Sequence, residues 1–133
     1  MDRKFVISAI VMSVAALLAG FVVHGTVLHD DYGRLPNLFR PEQEAQGFFG
    51  FMLLAHLLIG IGLTWVYRMG RADKPWLGQG LRFGAAIAVL TTIPMYLIYY
   101  AVQPMPADLV TKQIALDTIA ILILGVLVAR INK

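Results

Sequence analysis

The chain has 133 residues, is 59% hydrophobic with a mean hydropathy of +0.73, and carries a net charge of +3 without a single cysteine. It is too short for two ordinary domains and too apolar for a water-soluble one, and the missing thiols exclude disulfides, thiolate metal sites and cysteine nucleophiles. Its charges gather between apolar stretches, so they act as topology signals rather than as a nucleic-acid-binding face.

Taken in order, Phe5 to Leu28, Ala45 to Tyr67 and Phe83 to Ala107 hold no Lys, Arg, Asp or Glu over 24, 23 and 25 residues. About 20 residues suffice for a helix to cross the hydrocarbon core. A fourth stretch, Leu109 to Ala129, is interrupted only by Lys112 and Asp117. This pattern predicts an all-α integral membrane protein, a single membrane domain over 1–133 built as an antiparallel four-transmembrane-helix bundle. The helices are expected at about 5–28, 46–68, 79–101 and 106–130. The basic start Met1-Asp-Arg-Lys4 precedes an apolar run longer than a secretory core and without a small-residue cleavage site, so the first stretch reads as a retained span.

Eight of the 11 basic residues, Arg3, Lys4, Arg68, Arg71, Lys74, Arg82, Arg130 and Lys133, fall on one side of such a bundle, against Arg34, Arg40 and Lys112 on the other. The positive-inside rule then places this side, with the N- and C-termini, in the cytoplasm; the expected setting is a bacterial inner (cytoplasmic) membrane, which the resemblance given below implies. The periplasmic loop, about 29–45, collects Asp30, Asp31, Glu42 and Glu44. Leu35, Leu38 and Phe39, set among Pro36, Arg40 and Pro41, suggest a short amphipathic piece on the membrane surface or folded over the bundle mouth. Trp65, Tyr67 and Trp76 fall at the inner boundary and Tyr99 and Tyr100 at the outer one, as interfacial belts. Pro106 suits a first helical turn, and Asp108 with Lys112 makes an i,i+4 pair.

Within the spans, depth counted from Arg68 and Arg130 puts His56 and Asp117 in one layer, roughly 18 to 20 Å above the inner boundary. Pro94 and Tyr96 fall at the same level when counted from Arg82. Pro94 frees a backbone carbonyl that Thr91 and Thr92 could engage. Thr92, Tyr96 and Tyr100 share one face of helix 3, and Gln113 and Asp117 one face of helix 4. Phe49, Met52, His56, Gly60 and Leu63 make the expected inward stripe of helix 2, with Gly60-Ile-Gly62 as a close-contact point. On helix 1, Ser13, Ala16, Gly20 and His24 form a small-residue stripe, with His24 expected at the outer surface. The candidate ligand-binding or buried polar layer is therefore His56, Asp117, Tyr96, Thr92 and Gln113, lining a cavity open to the periplasm. The alternative is a plain structural tie between His56 and Asp117.

His24, His29, Asp30 and Asp31 lack the geometry of a defined metal motif, and no catalytic or nucleotide-binding pattern is present. A haem bound between His56 and Met95 stands as a weaker option. The segments Gly20-Phe-Val-Val-His-Gly25, His29-Asp-Asp-Tyr32, Asp73-Lys-Pro-Trp-Leu-Gly78, Thr91-Thr-Ile-Pro94 and Lys112-Gln-Ile-Ala-Leu-Asp117 resemble those of small four-span bacterial inner-membrane proteins in domain-of-unknown-function families. That resemblance covers the whole chain and implies its architecture but no activity. The chain is similar to small multidrug exporters in length and span count, yet helix 1 lacks the embedded acidic residue of that family. Three functional readings follow: a non-enzymatic binding or transport-linked bundle, a structural accessory subunit of a homo-oligomer or larger membrane complex, and a haem- or quinone-binding redox component.

Overall fold

The computed structural model describes residues 2–133 and contains helices but no strand among them. In chain order these are α1 (Arg3–Val27), α2 (His29–Gly33), α3 (Glu42–Gln46), α4 (Phe49–Gly70), α5 (Trp76–Val102) and α6 (Ala107–Ile131). Four of them, α1, α4, α5 and α6, are long and apolar enough to span a membrane. The protein is an all-α, four-span membrane bundle, and its apolar outer faces meet lipid.

Packing divides the bundle into two tight pairs, α1 with α4 and α5 with α6, which meet along α1 and α6. Lipid offers helices no hydrophobic drive to associate, so close backbone approach has to come from small residues. On α4, a Cβ at Gly60 would lie 2.4 Å from the Ser13 backbone nitrogen. Gly62 faces open space, so the expected close-contact point is Gly60 alone. Gly80 and Gly84 on α5 press against Gly125 and Ile121 on α6 in the same way.

The inward stripe expected on α4 holds only in its inner half, where Gly60, Leu63, Thr64 and Tyr67 are buried. Phe49 and Met52 are 52% and 53% exposed, because the outer half of α4 has no neighbour on the α5 side. Tyr67 is a core residue rather than a belt residue, and it meets Phe83 edge-on with ring centroids 5.3 Å apart. Trp76 lies beneath the Arg130 guanidinium, which stands 5.5 Å from the ring centroid.

Helix α5 starts at Trp76, about a turn earlier than the expected 79. The Gln79 amide donates to the Ala72 and Lys74 carbonyls and accepts from the Ala72 nitrogen, which clasps the turn before Pro75 and lets the helix begin at Trp76. Ahead of Pro94 the helix widens into a π-helical turn at Ala88–Thr92, the usual accommodation for an interrupted ladder. Thr91 donates to the Ile87 carbonyl at 2.7 Å, while Thr92 stays half-buried at the end of the turn.

A polar lock closes the end expected on the inner side. Ser8 and Thr64, both fully buried, lie 3.2 Å apart, and the buried Asn132 amide donates to the Ser8 hydroxyl at 2.8 Å. Lys4 reaches the Lys133 carbonyl and Arg68 grips Asp2, so both ends of the described chain sit at one end of the bundle. At the opposite end Leu35, Leu38 and Phe39 fold back onto Leu28, Leu109 and Val110, which selects the folded-over alternative for the outer loop. Lys112 pairs with Asp31 at 3.1 Å rather than with Asp108, because the folded-back loop brings a second carboxylate within reach.

Candidate functional site

The folded-back outer segment packs beside a polar network that, among the described residues, links ionisable side chains of two spans. His24, near the outer end of α1, places Nε2 3.1 and 3.0 Å from the two carboxylate oxygens of Asp117 on α6. Tyr96 on α5 donates its hydroxyl to the same carboxylate. The other imidazole nitrogen, Nδ1, is bonded to the Tyr32 hydroxyl from α2, and the Gln113 amide donates to that hydroxyl at 3.3 Å. Val23, Leu28, Met105, Leu109 and Val110 wall the network with apolar surface.

These partners fix the hydrogen-bond directions. Asp117 as a carboxylate only accepts, so Nε2 of a neutral imidazole carries the proton and Nδ1 accepts from Tyr32. Every bond then points one way, from Gln113 through Tyr32 and His24 to Asp117, with Tyr96 entering from the other side. Burial raises the Tyr32 hydroxyl's pKa, opposed by the Gln113 bond and helped by the nearby Asp117 and Asp31 charges. Tyr32 accordingly stays a neutral hydroxyl able to donate and to accept.

Of the five residues singled out from sequence, Asp117, Tyr96 and Gln113 share this network. Thr92 makes no side-chain bond to it. His56 lies elsewhere: its Nδ1 bonds the Met52 carbonyl at 2.7 Å, and its Nε2 rests on Gly20, where an added Cβ would stand 3.0 Å away. The shared layer of His56 and Asp117 is corrected by helix register, which brings Asp117 to the level of His24 instead. Ser8, Thr64 and Asn132 are level with one another, so Arg130 sits six residues nearer the outer end than Arg68, about 9 Å at the helical rise. Counted from that lock, His24 is 16 residues up α1 and Asp117 15 residues up α6, whereas His56 is only eight up α4. The two basic residues used as depth marks were not at one depth.

His24 and Tyr32 complete the site although neither was expected there. Leu35, Leu38 and Phe39 carried the available signal, since a loop folded over the bundle mouth brings Tyr32 above the end of α1. Among the described residues no group of three or more His, Asp or Glu side chains is arranged to hold a metal ion. A separate groove between α1 and α4, lined by Val6, Ile10, Leu57 and Ile61 with the Asp2–Arg68 pair at one end, is otherwise apolar and includes none of the network residues. Compared with known proteins, the chain matches no family model, no curated protein and no solved structure.

Proposed function

We propose that this chain is a bacterial inner-membrane protein with both termini cytoplasmic, and that it works as a non-enzymatic binding or transport-linked bundle. Its centre is the His24–Asp117–Tyr96 network, reached from the periplasmic side through the outer segment. The carrying observation is convergence: α1, α5, α6 and the outer segment each send a polar side chain to one place. Ionisable residues in spans are costly and mark ligand or ion pathways by default, and a simple tie between two helices needs two residues rather than five. The eight basic residues gathered at the end that carries the termini support the orientation, and the resemblance to small four-span inner-membrane proteins supports the setting.

The test compares the detergent-purified protein with a His24→Leu/Asp117→Leu variant by thermal unfolding against inorganic cations, ammonium and amines, amino acids and sugars. A ligand of the native state raises its stability by mass action. A solute that stabilises the native chain and not the variant supports the reading. Identical responses across the panel overturn it.

A further inference from the structure

The Gln113 side chain is 3% exposed, and its Oε1 has no hydrogen-bond partner although its Nε2 meets Tyr32. A buried acceptor left without a donor costs about 1–3 kcal/mol, and this one belongs to the side chain that meets the Tyr32 hydroxyl, the Nδ1 partner of His24. We propose that the network is a proton-binding site at His24, with the Gln113 carboxamide as the acceptor that the protonated state requires. This inference rests on the reading of the network as a binding centre and names its ligand.

The balance is simple. A proton from the outer side adds to the Nδ1 lone pair of His24 and no other bond between heavy atoms forms or breaks. Nδ1–H now donates to the Tyr32 oxygen, so the Tyr32 hydrogen has to leave His24 and find another acceptor. With the amide turned over, Oε1 of Gln113 occupies that place. The imidazolium keeps its Nε2–H bond to Asp117, where the opposite charges attract, and Tyr96 continues to donate to the carboxylate. Without an acceptor at position 113, the protonated state leaves the Tyr32 hydroxyl facing apolar surface.

The groups facing His24 are few. From α6 come Asp117 and Gln113, from α5 Tyr96, and from the outer segment Tyr32, with the Asp31 carboxylate near Tyr32 and paired with Lys112. From α4, His56 rests against Gly20, one turn below His24 on α1, and is tied to the Met52 carbonyl. Asp117 is the single carboxylate in contact with His24, and Tyr32 is the member shared with the outer segment. Protonation thus reaches the lid through one hydroxyl.

The experiment follows the His24 imidazole by nitrogen NMR in lipid nanodiscs over a pH series, its signal assigned by loss in His24→Gln. In Gln113→Met, which keeps the volume but removes the acceptor, proton binding at His24 is expected to weaken roughly tenfold, the size of one net hydrogen bond. Tyr32→Phe removes the Nδ1 partner and is expected to weaken it at least as much; combined with Gln113→Met it adds nothing further, because the two act through one bond. Tyr32→Phe carries the test alone if Gln113→Met does not fold. A midpoint unmoved in the variants that fold overturns the inference and leaves the centre standing. A midpoint unmoved by Asp117→Asn as well removes the centre itself.

Discussion

Gly80 and Gly125 meet backbone against backbone: a Cβ on Gly125 would stand 2.5 Å from the Gly80 carbonyl oxygen, and one on Gly80 2.7 Å from that of Gly125. No flexible side chain intervenes to give way. Gly125→Ala is therefore expected to cost about 1–3 kcal/mol, as over-packing does, while Gly62→Ala, with open space around it, leaves stability unchanged or slightly improved. Thermal unfolding of both variants in one detergent checks the contrast.

The network makes a second contrast. Asp117→Leu strands His24 and Tyr96, and His24→Leu strands Tyr32 and Asp117, so each single change is expected to destabilise by about 1–3 kcal/mol. The double variant should fall short of the sum, because both losses concern one interaction. His56→Leu combined with Asp117→Leu should instead be additive within about 0.5 kcal/mol, since the two do not touch.

At the inner end, the Arg68 guanidinium, bonded to both carboxylate oxygens, and the Phe5 backbone N–H hold the Asp2 carboxyl well below the usual carboxylate range. A carboxyl whose folded-state value is depressed contributes stability above its unfolded value of about 3.9 and loses it as the pH falls. The melting-temperature gap between the native chain and Asp2→Asn is expected to be widest near neutrality, to start narrowing as the pH falls through about 4, and to close only well below that.

The absence of native cysteine allows orientation to be read with single thiols. In intact cells, Asn37→Cys should react with a membrane-impermeant maleimide, and Ala72→Cys should react only after the membrane is opened. The reverse pattern would invert the orientation inferred from the basic residues.

The spans could be read from sequence because bilayer thickness imposes a length and composition that no folding detail can evade. Asp117, Tyr96 and Gln113 were legible for a similar reason: a polar residue inside an apolar run has to find a partner. Which partner it finds is a matter of register. That was decided by Ser8, Thr64 and Asn132, three small polar residues that in sequence look like tolerable helix surface. His56 was persuasive because it stands alone in its span, yet a histidine can satisfy itself on its own backbone, as it does on Met52. Tyr32 belonged to the least periodic part of the chain, where only tertiary folding reveals proximity.

The position of the inner lock has a mechanical consequence. Ser8 and His24 belong to one helix pair, Asn132 and Asp117 to the other, and about 24 Å of helix separates the two levels. A rocking of one pair against the other by 5° about the inner end moves the outer ends apart by about 2 Å at that lever length. Hydrogen bonds of 3.0 Å do not survive such a shift, whereas the lock at the pivot barely feels it. The His24–Asp117 contact therefore sits where the smallest change in bundle angle produces the largest change in distance, and the bond itself holds the angle.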